Sequence, residues 1–307
     1  SMLSLTACND DDDSPASNQK QTYVSESAYS EDTLTTAASI KVMTYNMENV
    51  QGQTAKATAL VMFPKVAPPT DGYRVVVWEH GTVGVGDSCA PSNNMIHPRF
   101  KILADSLLAA GYVIVAPDYE GLGNTAVPHP YLNLESAATS ILSAVKAAHD
   151  QYGNLSKNWS VIGWSQGGHA ALAAAEFNKA LLGYNFKGTV AIAPASYLAD
   201  TLDFGRKVAN DTAAAGDLTT ATTIGATLYT YAAIVSSGIK AGQTSFNYNQ
   251  AFLDAKVPIA QQAETLCSPE LAQEFGKDIQ ATLQANGGVF SAYQALQANF
   301  KTYDYDS

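Results

Sequence analysis

The sequence predicts an α/β fold: a mostly parallel sheet with helices on both faces, followed by a helical insertion. Three observations carry this. From residue 40 to residue 194, strand-like runs alternate with helix-like ones, the pattern of parallel strands joined by helical crossovers. Tyr73-Arg74-Val75-Val76-Val77-Trp78-Glu79 and the run Tyr112 to Ala116 are almost continuously apolar, as strands covered on both faces must be. After Pro194 the strand signal stops, and residues 197 to 300 carry Ala-, Thr-, Leu- and Gln-rich stretches of helical character.

Taken in order, Ile40 to Asn46 and Ala57 to Phe63 are β-rich runs separated by a glycine-containing turn, and they predict an opening antiparallel pair. Phe100 to Ala110 places Phe100, Leu103, Leu107 and Leu108 at helical spacing and stops at Gly111. Glu135 to Ala148 reads as a helix, Trp159 to Trp164 as a strand, Gln166 to Leu182 as an Ala-rich helix, and Phe186 to Ala193 as a further strand. Beyond it, Leu218 to Val235, Ala251 to Thr265, Pro269 to Ala285 and Phe290 to Phe300 are expected to be helical. The expected organisation is a sheet core over residues 21–196 and a helical cap over 197–300, with 301–307 starting a return to the core. An independent helical domain is the alternative for the second part.

Charge narrows the function classes. With 17 basic against 28 acidic side chains, the net charge is −11, which argues against nucleic-acid binding, since phosphate contacts rest on clustered Lys and Arg. No stretch reaches the ~18 consecutive apolar residues that a membrane helix needs. Residues 1–20 read as a signal remnant and a tether. Leu5-Thr6-Ala7-Cys8 resembles a lipobox, in which Cys8 would be lipidated, and the polar, Asp-rich run behind it suits a linker between anchor and domain. The expected location is therefore exported: a bacterial outer-membrane lipoprotein, periplasmic or extracellular, touching membrane only through its anchor. Export makes Cys89 and Cys267, the only other cysteines, an expected disulfide rather than two buried thiols.

The chemistry concentrates in Gly163-Trp164-Ser165-Gln166-Gly167-Gly168, between a predicted strand and a predicted helix. On such a junction the G-x-S-x-G pattern is a nucleophile elbow, with small residues needed two before and two after the serine because strand and helix approach closely. Ser165 is the expected nucleophile. The loop Glu79-His80-Gly81-Thr82 follows the Val-rich strand, so Thr82 N–H and Gln166 N–H are the expected oxyanion hole. His80 is expected to brace this loop, Asp118 to order the loop bearing Gly121 and Gly123, His169 to pack structurally, and His129 to shape a loop at the strand edge. The glycines of Gly81 to Gly86 lack dinucleotide-binding spacing, so neither cofactor nor metal is expected.

Four motifs in order, His80-Gly81-Thr82, Cys89-Ala90-Pro91-Ser92, Asp118-Tyr119-Glu120-Gly121-Leu122-Gly123 and Gly163 to Ala170, resemble the secretory lipase family of capped α/β-hydrolases. The resemblance runs from about residue 40 to the end. It implies an α/β-hydrolase fold with a helical cap, a Cys89–Cys267 bridge, and a Ser-Asp-His triad in that chain order. All five histidines lie at or before residue 169. The base and acid are thus expected outside this chain, which would end before the final strands and leave Phe186 to Ala193 at the sheet edge. The expected function is a secreted or surface-anchored serine carboxylesterase or lipase acting on a small-molecule or lipid ester. The alternatives are a catalytically inactive surface lipoprotein of the same fold, or peptide or thioester hydrolysis.

Overall fold

The structure is a computed structural model that describes residues 22–123 and 126–298. Cys8, the 1–20 segment and residues 301–307 lie outside the described residues.

A seven-stranded sheet organises the first part. Its strands are β1 (Tyr23–Ala28), β2 (Ala37–Glu48), β3 (Thr54–Pro64), β4 (Tyr73–Glu79), β5 (Val113–Pro117), β6 (Leu155–Trp164) and β7 (Asn185–Ile192), in the spatial order β1-β2-β3-β5-β4-β6-β7. Pairing is antiparallel from β1 through β3 to β5 and parallel across β5, β4, β6 and β7. Helix α1 (Pro98–Ala109) covers one face and helices α2 (Leu134–Gln151) and α3 (Gln166–Phe177) the other. Side chains alternate accordingly: Val75, Val77, Val113, Val115 and Val161 face α2 and α3, while Trp78, stacked 4.5 Å from Phe100, and Ile114 face α1. β7 is the edge strand of the described sheet, with Val190 and Ile192 exposed.

The helical part contains α4 (Leu198–Ala214), α5 (Leu218–Gly242), α6 (Val257–Ala260) and α7 (Ser268–Ala285) around a core of its own that includes Phe252, Leu271, Phe275 and Ile279. Gly205 lets α4 and α5 meet, since a methyl group there would stand 2.6 Å from Leu228 Cδ2.

Several expectations need correction. β1, a polar run that pairs only with β2, is not among the predicted strands. Helix α4 is not among the predicted helices. The stretch Ala251 to Thr265 is a series of short turns and the four-residue α6; Pro258, which donates no backbone hydrogen bond, sits in its first turn, where a helix tolerates it. Phe290 to Phe300 is expected to be helical, yet among its described residues, 290–298, only Phe290–Ala292 forms a 3-10 turn. The residues after it spend their backbone groups on a neighbour: Ala295 C=O accepts from Leu253 N–H and Gln297 N–H donates to Ala251 O.

Cys89 and Cys267 are joined by a disulfide that spans 178 residues of sequence. Ser268 N–H donates to Val83 O and Gly84 bridges to Cys267, so the loop after β4 is tied to the helical part by backbone as well as by sulfur. In the chain-entropy model a loop this long makes the crosslink worth about 5 kcal/mol. The paired substitution Cys89→Ser with Cys267→Ser is expected to lower the free energy of unfolding by about that much, read by denaturant titration; an unchanged midpoint and slope would overturn it.

Candidate active site

Ser165 joins β6 to α3 with φ 57° and ψ −117°, a left-handed conformation that non-glycine residues avoid. Its neighbours explain how it is held there. A methyl group on Gly163 would stand 1.8 Å from Gly167 O, one on Gly167 would stand 1.9 Å from Glu79 O, and one on Gly168 would stand 2.9 Å from Ile192 O. Backbone therefore touches backbone on three sides of the turn. Ser165 N–H donates to Ile192 O, and Ser165 O accepts from His169 N–H and Ala195 N–H.

The same contacts set the loop after β4, which carries Thr82, against the start of α3, which carries Gln166. Gln166 is the first residue of α3, where N–H groups have no intrahelical acceptor. Thr82 follows Gly81, whose backbone lies against Trp164, the residue before the serine: a methyl group there would stand 2.9 Å from the indole. Among the described residues no backbone carbonyl takes the Thr82 N–H. The Thr82 hydroxyl lies 2.7 Å from the hydroxyl of Tyr131.

Ser165 opens on a cleft of about 220 Å³ between the strand ends and the helical part. Its walls are mainly apolar, with Pro194, Leu198, Leu202, Leu228 and Val235, and they also carry the hydroxyl-bearing Tyr131, Ser196, Thr201 and Tyr231. Among the described residues no histidine and no carboxylate lines it.

The histidines are engaged elsewhere. His97 caps α1, accepting from Arg99 N–H. His149 lies between Val145 O and Ser156 O. His80 lies 2.7 Å from Gly81 O through Nδ1 and 3.3 Å from Asp118 O through Nε2, where it steadies the loop that carries Thr82. His169 lines a small separate cavity with Tyr119, His129 and Gln166. His129 is buried beneath the start of α3, not only placed in a loop at the strand edge. Its Nδ1 donates to Glu120 O at 2.7 Å, and its Nε2 accepts from the Gln166 side-chain amide at 2.9 Å. Burial pushes its pKa down to about 4, so the ring is neutral at physiological pH and can accept. Sequence reasoning missed this contact, because no local pattern pairs residues 37 positions apart.

Two buried carboxyl groups lie under the same loops. Asp118 accepts from Ser92 N–H and from the Thr58 hydroxyl, so it orders the segment around Cys89, not the expected Gly121 loop. Burial raises its pKa to about 6. Glu79 ends β4 with neither carboxyl oxygen hydrogen-bonded among the described residues, and burial holds it well above the usual carboxylate range.

Residues 76–288 match the model of the alpha/beta hydrolase family. No curated protein matches the chain. Among solved structures, the rice cell wall degrading esterase LipA from Xanthomonas oryzae is 20% identical with a TM-score of 0.63, over 93% of this chain and 75% of that one. Candida antarctica lipase A in its closed state is 16% identical with a TM-score of 0.62, over 82% of this chain and 57% of that one. At these identities the likeness is one of fold. The family match spans well over half of the sequence and covers β4, the elbow and most of the helical part, so the chain belongs to the alpha/beta hydrolase family.

Proposed function

We propose that the protein is a serine carboxylesterase or lipase that hydrolyses carboxylic esters with apolar acyl groups through an acyl-enzyme on Ser165. The observation that carries this reading is a strained elbow serine facing an apolar cleft. Ser165 Oγ attacks the ester carbonyl, Thr82 N–H and Gln166 N–H receive the negative charge that develops on its oxygen, and the acyl chain lies between α4 and α5. The helical part acts as a cap over the cleft. The general base and the acid that orients it come from outside the described residues, since the histidines among them have other partners or line other cavities. Export is the proposed location, with which the Cys89–Cys267 disulfide is compatible, and anchoring through Cys8 is proposed from the sequence alone.

A second reading has an observation in its favour: with no base lining the cleft, the fold would serve as an inactive binding lipoprotein. Labelling separates the two. Ser165 is expected to react with a fluorophosphonate in the intact protein, and Ser165→Ala to abolish the signal. Equal labelling of the two would remove Ser165 from its role, and no labelling of either would favour the inactive reading.

The His129–Gln166 contact also predicts a pH dependence. A buried histidine with its pKa depressed to about 4 stabilises the fold above its ordinary value of 6.5, and that stability is lost as pH falls toward 4. The size is on the order of 3 kcal/mol. Asp118 runs the other way: its contribution is complete below its ordinary value of 3.8 and is lost as pH rises through about 6. Comparing wild type with His129→Gln isolates the first effect. The variant is expected to lose less stability between pH 6.5 and pH 4, measured by denaturant titration at each pH. Parallel curves for the two proteins would refute it.

A further inference from the structure

The hydroxyl pair beside the elbow carries more chemistry than the two backbone donors require. Thr82 Oγ1 and Tyr131 OH are 2.7 Å apart, so one of their two protons lies in the bond between them. The other has no acceptor among the described residues. Tyr131 shares the cleft with Ser165, and Thr82 belongs to the loop packed against the residue before that serine. We propose that the Thr82–Tyr131 hydroxyl pair supplies a third hydrogen-bond donor to the oxyanion formed when Ser165 attacks an ester, with Tyr131 as a further catalytic residue. The inference rests on the serine-hydrolase reading above. No proton leaves the pair: in this proposal the remaining O–H, carried by whichever hydroxyl accepts the bond within the pair, donates to the carbonyl oxygen as it gains charge.

Preorganisation is what makes such a donor effective, because a hydroxyl that must reorient during the reaction returns little. Tyr131 is held from several directions. Its N–H donates to His129 O at 2.9 Å, its ring meets that of His129 edge-on at 6.1 Å, and a methyl group on Gly238 of α5 would stand 2.7 Å from its carbonyl oxygen. Burial keeps its phenol protonated, as a donor must be. A purely structural role would be a clip between the oxyanion loop and the loop before α2. Such a clip predicts a change in stability and in KM but no selective loss in the chemical step.

The test uses the full-length protein with p-nitrophenyl butyrate and a fluorophosphonate as probes, and the variants Tyr131→Phe, Thr82→Val and the double variant. Tyr131→Phe keeps the ring, and Thr82→Val keeps the backbone N–H and the side-chain shape. Tyr131→Phe is expected to lower kcat and the rate of Ser165 labelling by about a hundredfold, with KM changed by no more than about twofold. Thr82→Val is expected to fall in the same direction, and the double variant to be no slower than about twofold below the slower single one, because the pair acts as a unit. A Tyr131→Phe protein with unchanged kcat and labelling rate would overturn the proposal while leaving the serine-hydrolase reading intact, as would strictly multiplicative losses or a change in KM alone. A wild-type protein with no Ser165-dependent labelling would instead sink the hydrolase reading, and the third donor with it.

Discussion

Backbone contact at the turn after β6 is the constraint on which the site depends. The end of β4, the end of β6 and the first turn of α3 approach to distances at which a single methyl group would stand 1.8 to 1.9 Å from a carbonyl oxygen. Such an approach forces Ser165 into a conformation it would otherwise avoid, and the surrounding hydrogen bonds to Ile192 and Ala195 hold it there. It also determines where two other groups can be. With Gly167 against Glu79 O and Gly81 against Trp164, the loop carrying Thr82 has little choice but to lie beside the first N–H groups of α3. The elbow and the loop after β4 are thus placed by one packing event, not by two independent ones.

Beneath that packing lies a polar layer whose free energy runs against burial. Glu79, Asp118, His80 and His129 are all buried under the loops that bear the site. Each is shifted toward its neutral form, which is the cheapest response of an ionisable group taken out of water. Neutrality lets His129 accept from Gln166 and donate to Glu120 O at once, which a cationic ring would not do. Glu79 is the exception: its carboxyl oxygens have no well-formed hydrogen bond among the described residues, and the nearby Tyr119 phenol offsets only part of the cost of burial. Its tolerance under the elbow is consistent with a carboxyl group that stays protonated.

How much of this was legible in the sequence follows from the range of the interactions. The strands β4 and β5 were readable because burial on both faces leaves an apolar run, and the turn at residue 165 was readable because glycine spacing records a steric need. β1 was not, since a polar strand bonded on one side has no pattern to show. The segment after α7 was read as a helix because its composition is helical; its backbone instead pairs with residues 251–253, a tertiary contact that overrides local preference. The contacts His129–Gln166, Asp118–Ser92 and Thr82–Tyr131 join residues 26 to 49 positions apart, and no local spacing rule reaches that far.

The helical part and the oxyanion loop are mechanically one unit. The Cys89–Cys267 bridge and the Ser268–Val83 hydrogen bond cross between them, and Gly238 contacts Tyr131 of the loop before α2, whose hydroxyl meets that of Thr82. Helices α4 and α5, which wall the cleft, are in turn fixed to each other by the close approach at Gly205. A change in cleft width therefore has to be accommodated by the same segments that hold Thr82 and Tyr131. On the proposed function, residues that select the acyl group and residues that stabilise charge cannot move independently. On the proposed reading, substitutions in α5 that widen the cleft would be felt at the oxyanion position through Tyr131, even when they touch neither Ser165 nor Thr82.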